Sequence, residues 1–153
     1  MQWLSNGADK MSRSVLALFL MCSVTKATIT QAMLDKVITI ESSGNPSARG
    51  DRGAGLGLAQ FHYAAWQDTS AWRAKQGLPA FPYHNALDAG IARDYLHSWL
   101  SINAARFKEV TGRPATLVDL YAIHNLGFNG YRKRGFDIER CPAITQRKSK
   151  LLR

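Results

Sequence analysis

Glu41 is the residue whose placement most suggests chemistry. It follows Leu34 by seven residues, Val37 by four and Ile38 by three, and in a helix those positions share one face. Its carboxyl therefore belongs to an apolar stripe near a helix C-terminus, where the negative end of the dipole opposes a carboxylate. Desolvation and dipole both disfavour the charged form, so a protonated acid is expected. Such an acid, aimed into a cleft, can give a proton to the leaving oxygen of a glycosidic bond. Position alone leaves an alternative, a side chain turned into solvent at a frayed helix end.

The residues around Glu41 suit a sugar chain. From Gly44 to Gly57 the chain is rich in Gly, Asn and Pro, a tight-turning loop with room for a short β-hairpin. Glycines let backbone approach a ligand closely. Gln60 offers both donor and acceptor to N-acetyl and hydroxyl groups. Asn125 either caps a helix locally or reaches into the cleft. Trp66 and Trp72 have rings for stacking on sugar faces, or for filling a core.

The elements that must carry these residues are mostly helical. Thr30 caps a helix through about Ser42, with Met33, Leu34, Val37, Ile38 and Ile40 apolar. A helix can restart within Leu58 to Trp66, and Gly77 to Tyr83 is a connection. Asn85 or Asp88 opens a helix with an Ile91, Tyr95, Leu96, Trp99, Ile102 stripe. Thr116 caps another through His124, ended by Gly127 and Gly130, and a last basic helix runs from Ala143 to Leu152. The expectation is a mainly α single domain over residues 28–153.

Several short segments together resemble the lysozyme-like superfamily. Glu41-Ser42-Ser43-Gly44-Asn45-Pro46-Ser47-Ala48, Gly53-Ala54 and Gly57-Leu58-Ala59-Gln60 follow the order of soluble lytic transglycosylases. Gly50-Asp51-Arg52-Gly53, Gly55, Gly57-Leu58 and Gln60 are closer to goose-type lysozymes. Ile123-His124-Asn125-Leu126-Gly127 is similar to the family's Ala-Tyr-Asn-x-Gly element. The likeness covers about Thr30 to Tyr131. It departs where Ala59 replaces Met, where the loop is one residue longer, and where His124 replaces a Tyr that helps orient the Glu.

The resemblance implies an α+β lysozyme-like fold that cleaves peptidoglycan glycan strands between N-acetylmuramic acid and N-acetylglucosamine. Glu41 and Asp51 would be catalytic, with Gln60, Tyr121, His124 and Asn125 binding substrate or orienting the acid. Either His124 or Tyr121, one turn earlier on the same face, would orient Glu41. An inverting hydrolase needs a second carboxylate about 6.5–9.5 Å from the acid, whereas a lytic transglycosylase closes an anhydro ring without water. Asp51 matches an acidic position implied to place water; as a residue type it also suits a Gly-Asp-x-Gly turn. A second such position, after Gln60, holds His62. No cofactor and no metal are expected.

Composition sets the outer limits. The 153 residues fit one domain with a core of its own. Twenty Lys and Arg against eleven Asp and Glu give +9, which favours a polyanionic partner such as nucleic acid, anionic lipid or wall polymer. Two cysteines, Cys22 and Cys141, are too few for a disulfide framework. Arg13, the apolar run Val15 to Val24 and the small residues before Thr28 read as a secretory signal cleaved after Ala27. That run is too short to cross a bilayer, which needs ~20 residues, so a secreted or periplasmic monomer without a stable membrane anchor is expected. The alternative for the run is a buried N-terminal helix. Two rival functions are a nucleic-acid binder, suggested by Tyr131-Arg132-Lys133-Arg134 beside Phe128 and Phe136, and a non-catalytic cell-wall-binding protein.

Overall fold

The computed structural model describes residues 28–152. The expected signal segment and Cys22 lie outside that span. Six α-helices and one two-stranded antiparallel sheet make up the described chain, so the protein is mainly α. Helix α1 (Gln31–Ser42) starts where Thr30 Oγ1 accepts from the Met33 amide at 3.3 Å. Strands β1 (Arg49–Gly50) and β2 (Gly55–Leu56) pair with Arg49 opposite Leu56. They form the hairpin for which the glycine-rich loop had room.

Helix α2 (Tyr63–Lys75) begins five residues later than Leu58, because Leu56 to Phe61 is held as a β-bridge by two reciprocal backbone bonds of 3.0 Å. A 3₁₀ turn over Tyr83–Leu87 leads to α3 (Ala89–Thr111), capped by Asp88 through the Ile91 amide. Helix α4 (Leu117–Leu126) opens on a full capping box, with Thr116 and Asp119 satisfying each other's amides. Gly127, at φ 72°, ends it. Gly130 falls instead inside the short α5 (Phe128–Arg132). After a 3₁₀ turn at Ile138–Arg140 comes α6 (Ala143–Lys150). Among the described residues, no helix is long and apolar enough to cross a membrane.

Helix α3 is the central post. Its Tyr95, Leu96, Trp99 and Leu100 are buried against Leu34 and Val37 of α1, Trp66 of α2 and Leu120 of α4. Trp66 stacks on Tyr95 with centroids 3.7 Å apart, and its indole N–H donates to Phe81 O at 2.8 Å. A smaller cluster joins Phe107, Ile123, Phe128, Tyr131 and Cys141. Asp119 stands between the two, buried, and accepts from Arg113 (2.8 and 3.1 Å), the Thr116 amide and hydroxyl, and Tyr131 OH. These donors outweigh the effect of burial and hold its carboxyl below the ordinary carboxylate range.

The hairpin is clamped to the 3₁₀ turn. Tyr83 OH lies 2.7 Å from both Ala54 O and Phe61 O. Gly57, at φ 73°, approaches so closely that a Cβ there would sit 1.7 Å from Ala86 O. Gly57→Ala should therefore cost about 3 kcal/mol or more, from left-handed backbone strain and backbone collision together. Gly77→Ala, with similar φ but open space around it, should cost only about 1 kcal/mol. Urea melts of both variants check this, and equal losses would show that the close approach carries no energetic weight.

Candidate active site

Glu41 reaches its place because α1 does not fray. Ser42 Oγ donates to Leu58 O at 2.8 Å, pinning the last turn to the loop. Ser43 adopts a left-handed cap at φ 54°, with its amide on Thr39 O. The Glu41 side chain is 9% exposed. A carboxylate so withdrawn from water requires donors. Tyr121 OH donates to Oε1 at 2.5 Å, and Lys148 Nζ stands 3.4 Å from the same oxygen. Among the described residues nothing bonds Oε2. Burial first, and then the bond and charge of Glu41, push the Tyr121 phenol far above its ordinary value, so it stays a donor.

A cleft of ≈ 510 Å³ opens beside this carboxyl. It is also lined by Asp51, Gln60, His62, His124 and Asn125, so the sequence-expected residues other than Tyr121 share one wall system. Tyr121 touches it through Glu41. Of the two candidates for orienting Glu41, Tyr121 makes the hydrogen bond and His124 does not.

His124 instead ties α4 to the glycine loop. Its Nε2 is 2.7 Å from Ala59 O, and a carbonyl only accepts, so Nε2 carries the proton. Nδ1 is buried with no partner among the described residues. Burial holds the imidazole below its ordinary value, against the opposing charge of Glu41 and the Ala59 bond.

Gln60 is turned inward. In the left-handed region at φ 50°, it donates from Nε2 to Gly57 O at 2.8 Å. Its Oε1 occupies the space where a Cβ on Gly50 or Gly55 would fall, at 2.3 and 2.9 Å. The glycines thus make room for a brace inside the hairpin as well as for a ligand. Asn125 is exposed, with Oδ1 accepting from Thr145 Oγ1 of α6 at 2.6 Å. Asp51, at the hairpin tip, pairs with His62 Nε2 at 2.8 Å.

Trp66 lies wholly in the core and Trp72 is half-buried. The indole lining the cleft is that of Trp99. Three other residues at the site were not anticipated: Lys148, Asp68 and Arg106, whose guanidinium lies 4.4 Å from the Phe128 ring centroid. Lys148 is one of several cations in a basic helix, and no local pattern marks the one that turns inward. Among the described residues, no group of three or more His, Cys, Asp or Glu side chains is placed to hold a metal ion.

No protein-family model, curated protein or solved structure matches this chain.

Because His124 binds a proton more readily in the unfolded chain than in the fold, acidification favours unfolding. Its contribution is complete above the unfolded value near 6.5 and is lost as pH falls from there toward the depressed folded value. His124→Gln, which keeps an N–H for Ala59 O, should therefore show a smaller drop in Tm between about pH 7 and pH 5 than the parent protein. An unchanged drop would place the acid sensitivity elsewhere.

Proposed function

We propose that this protein cleaves the β-1,4 bond between N-acetylmuramic acid and N-acetylglucosamine in peptidoglycan, with Glu41 as general acid. One observation carries the reading. A 9%-exposed carboxyl, held at Oε1 by Tyr121 and Lys148 and unpartnered at Oε2 among the described residues, stands on the wall of an open cleft. The two donors fix the side chain's rotation, leaving Oε2 as the atom that can pass a proton to a glycosidic oxygen. The small hairpin with its glycine loop, facing α4 across a cleft, supports a lysozyme-like arrangement. Net charge of +9 suits an anionic wall, and a secreted or periplasmic location follows from that substrate.

The rival nucleic-acid reading loses its stacking platform. Phe128 and Tyr131 are buried and Phe136 packs edge-on against both, so these rings are unavailable to bases. A merely wall-binding protein would have no need of a withdrawn carboxyl held by two donors.

A zymogram on embedded peptidoglycan tests the proposal directly. Glu41→Gln should abolish lysis, a loss of about 100-fold or more, with the fold retained. Lysis at the parental level by that variant would end the assignment. Tyr121→Phe should lower kcat by about 10- to 100-fold through loss of orientation, and should destabilise by about 0.5–1.5 kcal/mol as a part-buried hydrogen bond is removed. If its kcat is unchanged, the phenol does not position the acid.

A further inference from the structure

The remaining chemical question at this site is what meets the sugar carbon opposite Glu41. His62 occupies the N-cap position of α2, where a side-chain oxygen usually bonds the first turn. It makes no such bond. Its Nε2 lies 2.8 Å from Asp51 Oδ2. An ionised carboxylate only accepts, so Nε2 carries the proton of this bond, and in the neutral ring Nδ1 keeps its lone pair. Both side chains are largely exposed, 54% for His62 and 74% for Asp51, and both line the cleft that Glu41 lines.

The backbone is bent to bring them together. Asp51 and Arg52 are consecutive non-glycine residues in the left-handed region, at φ 48° and 57°. Such conformations persist where surrounding structure imposes them and cluster at functional sites. Here the hairpin, the Tyr83 clamp and the start of α2 impose them.

We infer that His62 and Asp51 form a water-activating dyad, so that the protein hydrolyses its glycan rather than closing an anhydro ring. The inference rests on the glycosidase reading above and goes beyond it by assigning the second half of the reaction. His62 is the catalytic base and Asp51 its positioning residue, holding the tautomer and stabilising the imidazolium. In the step, the water oxygen bonds to the anomeric carbon while His62 Nδ1 takes one water proton. The bond from that carbon to the bridging oxygen breaks, its electron pair leaves with the oxygen, and that oxygen takes the proton from Glu41. His62 then returns its proton to solvent and Glu41 regains one, so the products are two sugar chains and no other reactant is consumed.

The test is to digest purified peptidoglycan and weigh the fragments, using the full-length protein and four variants whose folding is checked by thermal melt. The parent should produce reducing ends. His62→Gln should lower their formation about 100-fold, and added imidazole should restore part of the activity of His62→Ala. Asp51→Asn should lower kcat by less and leave KM unchanged, because the ring loses only the hydrogen bond that orients it. Anhydro ends from the parent, or unaltered hydrolysis in His62→Gln, would overturn the dyad and leave Glu41's role intact. Loss in Asp68→Asn with His62→Gln unaffected would overturn it in favour of Asp68. No cleavage by the parent at all would remove the glycosidase reading, and the dyad with it.

Discussion

The hydrogen bond from Tyr121 to Glu41 joins residues eighty positions apart and depends on most of the fold. Glu41 lies in the last turn of α1, whose free carbonyls offer no donor to its carboxyl oxygens. Its donors must come from elsewhere, and α4 can supply one only if both helices are fixed against α3. Leu34 and Val37 on one side and Leu120 and Tyr121 on the other do that by packing into one cluster. The core is thus what makes a withdrawn carboxyl tolerable. Lys148, from α6, completes the arrangement by bringing a second donor to the same oxygen. The desolvation expected for Glu41 from its stripe is present, but it comes with a cation that helical spacing had no means of showing.

The hairpin depends on the same logic of mutual constraint. Gln60 fills the space above Gly50 and Gly55, Gly57 meets the Ala86 carbonyl, and Ser42 binds Leu58. Gly50, Gly55 and Gly57, which looked like freedom for a ligand, are in part vacancies for neighbouring protein groups. That changes the meaning of Gln60. Its amide N–H braces the loop, and it shapes the cleft wall more by holding backbone than by presenting both its polar atoms.

Much of the helical framework was legible because caps are local. Thr30, Asp88 and Thr116 each bond an amide three residues on, and Gly112 and Gly127 take positive φ, so residue type alone marked those ends. The start of α2 was not legible, since His62 occupies the cap position without capping. Its partner is Asp51, eleven residues back across a turn. Lys148 was hidden for a related reason: a basic helix read from spacing is a solvated face, and only its docking under α4 turns one of its cations inward. The residues that carried the resemblance, Glu41, Gln60 and Asn125, do line one cleft. Which of Tyr121 and His124 would reach Glu41 depended on helix rotation, a tertiary quantity.

His124 shows what that rotation does. One turn beyond Tyr121, its imidazole faces the loop rather than the acid, with Nε2 on Ala59 O and Phe61 at its edge. The loop is tied to α4 by a neutral ring, while the phenol that holds Glu41 comes from one turn earlier. Together these two bonds join α4 to the glycine loop and to α1 beside the cleft.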